Sequence, residues 1–323
     1  MTHAIQVHQT GGPEVLVWDE VTVGEPGPGQ VRLRQDAAGL NYIDVYHRTG
    51  LYPQQLPFIP GAEGAGTVDA VGEGVRGVGA GDRVAYAGPI GGYAEERLID
   101  AEKLVKLPDS ISTEQAAAMM LQGLTAHMLL RSVHRVQPGE TILIHAAAGG
   151  VGLIVCQWAK ALGATVIGTV GSDEKAELAR AHGCDHPIVY TRQDFVAEVA
   201  RITGGAKLPV VYDSIGRDTF MKSLDCLAPR GMMVSFGNAS GPVDPFPPGI
   251  LAQKGSLFLT RPTLFHYNAT RAELEAAANE LFEVVAGGQV KIEVKQRFAL
   301  KDAAEAHRQL EARKTTGSTV LTV

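Results

Sequence analysis

The chain has 323 residues, enough for one large domain or two ordinary ones, and 45% of them are hydrophobic, ample for a substantial buried core. A formal charge of -6, from 29 Lys+Arg against 35 Asp+Glu, leaves no basic excess to draw it to nucleic acid or an anionic membrane. The N-terminal stretch has neither a basic leader nor a long apolar run, and no later run reaches membrane-spanning length, so a cytoplasmic location is expected.

Cys156, Cys184 and Cys226 are widely separated, which suits a reducing compartment and three structural thiols rather than a disulfide framework. Up to about Asp109, short β-like runs such as Val31-Arg32-Leu33-Arg34 alternate with Gly- and Pro-rich turns, a pattern for an irregular β barrel or sandwich. From Thr141 the pattern changes. Apolar runs at Thr141 to His145, Thr165 to Val170, Pro187 to Tyr190, Val210 to Tyr212, Met232 to Phe236 and Leu257 to Thr260 are separated by helical periods. That spacing predicts a parallel doubly wound sheet of six strands. Thr270-Arg271-Ala272-Glu273 then has capping-box spacing for a helix that should stop near Gly287-Gly288, followed by a helix around Ala303 to Arg313 and a strand near Ser318 to Val323.

The stretch from Ile142 to Gly152 runs an apolar strand through Ala146-Ala147-Ala148-Gly149-Gly150-Val151 into a helix with Ile154, Val155, Trp158 and Leu162 at helical spacing. Small residues let a backbone approach a pyrophosphate, and the helix start offers free N–H groups and a positive dipole end. Ala147 stands at the first position of the three-glycine fingerprint. The next strand ends at Val170, where an NAD-specific site places an acid against the ribose hydroxyls; Gly171 and Ser172 leave room for a 2′-phosphate, which Ser172 and Lys175 can bind. Asp173 and Glu174 read either as favourable first-turn residues or as charges that repel a phosphate. NADPH is the cofactor expected in preference to NADH.

Several stretches together resemble the medium-chain dehydrogenase/reductase superfamily and, within it, the quinone oxidoreductases related to zeta-crystallin: Gly11 to Leu16, Asn41 to Tyr46, Gly50 to Pro53, Pro60 to Gly66, Ala80 to Val84, His145 to Gly152, Tyr212 to Gly216 and Ser235 to Asn238. The resemblance covers nearly the whole chain. It implies an α/β fold, a Rossmann doubly wound parallel sheet at 123–263 plus a GroES-like irregular β-barrel domain at 1–122, to which 264–323 returns. The zinc-dependent members carry Gly-His-Glu where this chain has Gly61-Ala62-Glu63, and their cysteine ligands have no counterpart here, so no metal site is expected. His3 and His8 read as surface residues and His145 as a packed strand residue.

The resemblance further implies NADPH-dependent reduction of a small-molecule quinone, by one electron or by hydride, with the acceptor residues Asn41, Tyr46 and Tyr52 as the catalytic set. Either tyrosine can stack on a quinone and donate a hydrogen bond, or simply pack in the β domain. The implied cofactor contacts are Asn41, Tyr42, Ile43, Asp44 and Tyr46 beside the nicotinamide, and Thr125 after the Gln122-Gly123-Leu124 junction. Gly149, Gly150 and Val151 would lie at the pyrophosphate, and Gly171, Ser172, Lys175 and Tyr190 at the adenosine end. Ser214, Phe236, Gly237 and Asn238 complete the nicotinamide side. Arg313 reads as a phosphate contact or a solvated helix-end charge, and Met128 stands where close relatives carry an aromatic residue. Family members commonly form homodimers through a sheet edge, here the run Ser256 to Thr260. Rival readings are an enone or enal reductase and, in another class, a crystallin-like structural or RNA-binding protein; the acidic balance disfavours RNA.

Overall fold

The computed structural model describes residues 1–323. Along the chain, β1 (Thr2–Val7) and β2 (Leu16–Val21) form an antiparallel ribbon. They are followed by β3 (Gln30–Gly39), helix α1 (Tyr42–Thr49), β4 (Glu63–Val71), β5 (Arg83–Ala87), β6 (Glu96–Asp100) and β7 (Val105–Lys106). Helices α2 (Thr113–Ala117) and α3 (Met120–His127) precede β8 (Thr141–Ile144), α4 (Gly150–Ala161), β9 (Thr165–Val170), α5 (Asp173–Ala181), β10 (His186–Val189), α6 (Phe195–Ile202) and β11 (Leu208–Asp213). Next come α7 (Phe220–Ser223), β12 (Leu227–Ser235), α8 (Gly249–Gln253), β13 (Phe258–Thr260), α9 (Leu264–Tyr267) and α10 (Arg271–Ala286). The chain closes with β14 (Val294–Ala299), α11 (Ala303–Glu311) and β15 (Ser318–Thr322).

The chain divides into two compact units, one of Met1–Leu124, Thr270–Ala286 and Ile292–Val323, the other of Thr125–Ala269 and Gly287–Lys291. In the first, a mixed seven-stranded sheet runs β14-β15-β3-β4-β5-β7, with β6 beside β3. Period-two alternation on β3 buries Val31 and Leu33 against Val68, Val84, Tyr86, Ile99 and Leu104. A second apolar cluster joins Ile5, Val7, Leu40, Phe58 and Tyr93 to Leu300, Ala303, Ala306 and Leu321, which anchors the C-terminal elements in this unit. The expected capping box closes: Glu273 accepts from Thr270 N at 2.9 Å, and α10 ends before Gly287 and Gly288.

The second unit holds the six parallel strands expected, in the order β10-β9-β8-β11-β12-β13. The chain first steps outward from β8 to β10 and then, from β11, outward the other way. This places a topological switch point between β8 and β11, where open α/β sheets bind ligands beyond the strand ends. Leu143, Ile167, Ile188, Val211 and Met233 fill the core, each fully buried or nearly so and each contributing about 1.5–3 kcal/mol by removal from water. No helix is long and apolar enough to cross a membrane.

Candidate active site

In the first unit the expected acceptor residues gather on α1 and the turn after it. Asn41 is the N-cap, and the Asp44 carboxylate reaches back to accept from Asn41 N at 2.9 Å. Tyr42 opens the helix and donates to Leu310 O at 3.2 Å, while Ile43 is half-buried beside it. Gly50, at φ 81°, ends the helix in the left-handed conformation that glycine adopts without strain. The chain then turns back, and Tyr52 N donates to Tyr46 O at 3.0 Å. The Tyr46 and Tyr52 rings meet edge-on at 5.2 Å between centroids, with Tyr42 6.3 Å from Tyr46.

The Asn41 amide is oriented from both ends. Its Nδ2 donates to Glu63 Oε2 at 2.7 Å, and its Oδ1 accepts from Gln122 Nε2 at 3.2 Å. Gln122 is itself fixed by Ser318, whose hydroxyl donates to Gln122 Oε1 at 2.7 Å. This uses one of the two amide hydrogens of Asn41, leaving one donor for a ligand, while its carbonyl also faces Asp44 N in the capping box. Glu63 is fully buried and accepts from Leu121 N at 2.8 Å; burial pushes its carboxyl up to about 8. A Cβ at Gly39 would stand 2.2 Å from Glu63 Oε2, so glycine there makes room for the carboxylate.

Asp44 is also fully buried. It accepts from Asn41 N, from Ala62 N at 3.1 Å and from the Tyr93 hydroxyl at 3.0 Å; burial raises its carboxyl to about 7, against the opposing pull of these hydrogen bonds. Behind Tyr93 stand His307 at 3.2 Å and then Arg48, whose Nη1 lies 3.2 Å from His307 Nδ1. A guanidinium has no acceptor, so Nδ1 accepts and Nε2 carries the ring proton. Burial drives the His307 imidazolium pKa down to about 3, so the ring is neutral. Arg48 closes the row with a two-pronged pair to Glu311 at 2.9 Å on each side.

In the second unit, Ala146 takes a left-handed φ of 55° at the end of β8, Gly149 N donates back to Ala146 O at 2.9 Å, and α4 starts at Gly150 and Val151. Gly149 caps this helix without a side-chain acceptor, so the first-turn N–H groups are left for a ligand. Gly152 is where α4 crosses the turn: a Cβ there would lie 2.2 Å from Ala146 O. His145, as expected, is a packed residue, bonded to Thr169 Oγ1 at 2.9 Å and Ser223 Oγ at 2.8 Å. His3 and His8 lie at the surface.

After β9, Gly171 leads to Ser172, the N-cap of α5, whose hydroxyl accepts from Lys175 N at 3.3 Å. Tyr190 follows β10, and its N donates to Val170 O at 3.0 Å, so the two strand ends lie side by side. Beyond β11 and β12, Phe236 N donates to Asp213 O at 2.7 Å, Ala239 N donates to Ser214 O at 3.1 Å, and Gly237 approaches Ser214 too closely for any Cβ. With its amide turned so that both ends are satisfied, Asn238 donates to Gly237 O and accepts from Arg261 Nη2, each at 3.0 Å. Thr125 is half-buried on α3. Arg313, in the first unit, is exposed just after α11 at φ 59°.

Two family descriptions match the chain: an alcohol dehydrogenase GroES-like domain over residues 27–109 and a zinc-binding dehydrogenase over residues 150–283. A quinone oxidoreductase of Pseudomonas aeruginosa is 57% identical over 323 residues, 99% of each chain. This chain belongs to the quinone oxidoreductase family of the medium-chain dehydrogenase/reductases. A 2-haloacrylate reductase of a Burkholderia species is 49% identical, again over 99% of each chain. The solved structure of Escherichia coli quinone oxidoreductase complexed with NADPH matches with a TM-score of 0.98 at 51% identity, covering 99% of this chain and 100% of that one.

Ala62 is wholly buried where a zinc-dependent relative has an imidazole, and its N–H serves Asp44. The three cysteines are unpaired and buried, all in the second unit, and no cluster of three or more His, Cys, Asp or Glu side chains is arranged to hold a metal ion. Sequence reasoning did not single out Gln122, Ser318, Tyr93, His307 or Arg48 as parts of the site. Gln122, Ser318, Tyr93 and His307 lie far along the chain from Asn41 and Asp44, and Arg48, although on α1, joins the row through His307, 259 positions away, so no local spacing marks these contacts. Glu63 was marked in the sequence only as part of Gly61-Ala62-Glu63; Gly39, the last residue of β3, is the glycine whose missing side chain leaves room for it.

Proposed function

We propose that this chain is an NADPH:quinone oxidoreductase. The observation that carries the reading is the full-length, 57% identity to a quinone oxidoreductase, joined to a cofactor turn intact in this chain. Bound NADPH supplies the reducing electrons. The uncapped start of α4 at Gly149, Gly150 and Val151 holds its pyrophosphate, with Gly171, Ser172, Lys175 and Tyr190 at the adenosine end; Arg313, in the first unit, is the further phosphate contact that the family resemblance implies. Ser214, Phe236, Gly237, Asn238 and Thr125 line the nicotinamide side of the second unit. In the first unit, Asn41 offers its remaining amide hydrogen, and Tyr46 and Tyr52 offer aromatic faces to a planar acceptor. The reaction is proposed to run without zinc, since Gly61-Ala62-Glu63 offers no imidazole where the resemblance places one in the zinc-dependent members.

A second reading has its own support in the 2-haloacrylate reductase at 49% identity: the same residues would then serve an activated alkene. Following NADPH and NADH absorbance with 1,4-benzoquinone, 9,10-phenanthrenequinone and 2-chloroacrylate, in chelator-treated buffer, separates the two. Chelator-resistant oxidation of NADPH by the quinones is expected. Turnover of 2-chloroacrylate alone would transfer the assignment to the alkene reductase, and turnover of none would remove both.

The protein is further proposed to be a cytoplasmic homodimer that pairs through β13. Phe258 and Leu259 on this edge strand are 58% and 38% exposed, and the strand carries no charge that would discourage pairing.

A further inference from the structure

The turn after β9 carries two acids, Asp173 and Glu174, directly beyond the serine assigned to the 2′-phosphate. A dianion arriving there meets the positive end of the α5 dipole and Lys175, but also two carboxylates. Asp173 does not face the turn alone. Arg192, three residues past the end of β10, grips it with Nη1 to Oδ2 at 2.8 Å and Nη2 to Oδ1 at 2.5 Å. The fork-to-fork geometry is the strongest form of this pair and the one that spreads the cancellation over both oxygens.

The placement follows from the sheet. Because β9 and β10 are parallel neighbours in register from Ile167 with His186 to Val170 with Val189, the segments leaving them emerge together. Tyr190 N is held by Val170 O and Thr191 Oγ1 donates to Gly171 O at 3.4 Å, so Arg192 is delivered beside Asp173. Counted as charges, Asp173, Glu174, Lys175 and Arg192 sum to zero; without Arg192 the turn is net negative.

We propose that Arg192 is a specificity-determining residue for the 2′-phosphorylated cofactor, acting through Asp173 by cancelling its charge rather than by touching the phosphate. The inference rests on the NADPH reading above. It resolves the double meaning of Asp173 in the sequence: the residue keeps its first-turn role on α5 while its repulsion of an anion is removed by a side chain from the next strand. The pair holds the Asp173 carboxyl below its usual range, so the ionised, cancelled form is the one present at neutral pH. Glu174 is different. Its carboxylate is engaged by the Ser172 hydroxyl, so a phosphate at Ser172 displaces it.

The test is calorimetric binding of 2′,5′-ADP and 5′-AMP to the full chain and to the exposed-site variants Arg192→Gln, Asp173→Asn and the double variant. Arg192→Gln should weaken 2′,5′-ADP about tenfold at low ionic strength and 5′-AMP about twofold at most, with the difference shrinking at high salt. The double variant should recover the wild-type ratio, because the charge that Arg192 cancels is then gone. An unchanged ratio in Arg192→Gln would overturn the proposal, and so would a tenfold loss that persists in the Asp173→Asn background, which means direct contact with the phosphate. Were the parent chain to bind both ligands equally, the NADPH reading itself would fail, a result distinct from either.

Discussion

The Tyr93 hydroxyl lies 3.0 Å from Asp44 Oδ2, and both residues are completely buried. The bond is one step of a directed row in which Arg48 donates to His307, His307 to Tyr93, and Tyr93 to the carboxylate at the start of α1. Each member has its proton position set by its neighbour, and the row ties the helix that carries Asn41, Tyr42 and Tyr46 to α11.

Tyr93→Phe keeps the ring and removes both bonds. Asp44 loses a donor and His307 Nε2 loses its acceptor, each at a cost of about 1–3 kcal/mol for a buried polar group left unpaired. Urea unfolding should show a loss of this size. Because both variants break the same bond, Tyr93→Phe and His307→Leu combined should cost at least about 1 kcal/mol less than the sum of the single losses. Strict additivity would mean that the two residues do not share a hydrogen bond in solution.

Glu63 predicts a pH dependence of stability. Its folded-state pKa is raised from 4.5 to about 8 by burial, so the fold favours the neutral acid. The sign follows: its contribution is fully present below the unfolded pKa and is lost as pH rises through the folded value. Each tenfold difference in proton affinity between the folded and unfolded chain is worth about 1.4 kcal/mol, so the loss between about pH 5 and pH 8 amounts to a few kcal/mol. Glu63→Gln cannot ionise, so its unfolding free energy should fall less over that window than that of the parent chain. Parallel curves for the two proteins would show that Glu63 is charged in the fold.

The six strands of the second unit were legible because its apolar runs and helical periods are local: the six runs named from sequence each lie on a strand. The cofactor turn was legible for the same reason, since strand, small residues and helix are contiguous from Thr141 to Ala161. The partners of Asn41 were not. Gln122 and Ser318 lie 81 and 196 positions from the groups they bond, and a glutamine or serine in an apolar context has no periodicity to betray it. Arg192 was missed because its meaning depends on the parallel register of β9 and β10, which sequence pattern alone does not set.

The glycines of the cofactor turn are not equivalent. At Gly149 an added Cβ meets only Ala146 O, at 3.2 Å, whereas at Gly152 it would stand 2.2 Å from Ala146 O and 2.8 Å from the Ala147 backbone. Backbone cannot swing aside as a side-chain tip can, so Gly152→Ala must push α4 off the turn. Gly149→Ala should fold with near-parental stability. Gly152→Ala should lose about 2 kcal/mol or more in unfolding experiments and weaken NADPH binding at least tenfold by fluorescence titration. Equal behaviour of the two variants would contradict this packing.

The last prediction concerns the sheet edge. β13 pairs with β12 on one side only, which leaves its other backbone edge open, and both Phe258 and Leu259 are exposed. An apolar edge strand left open is a template for pairing with another chain, and placing a lysine on it opposes that pairing by charge and desolvation. Phe258→Lys should leave the folded unit intact, since the side chain is mostly exposed and outside the core. In sedimentation at micromolar concentration the parent chain is expected to run as a dimer and the variant as a monomer. A dimer that survives the lysine places the interface elsewhere, and a monomeric parent removes the homodimer altogether.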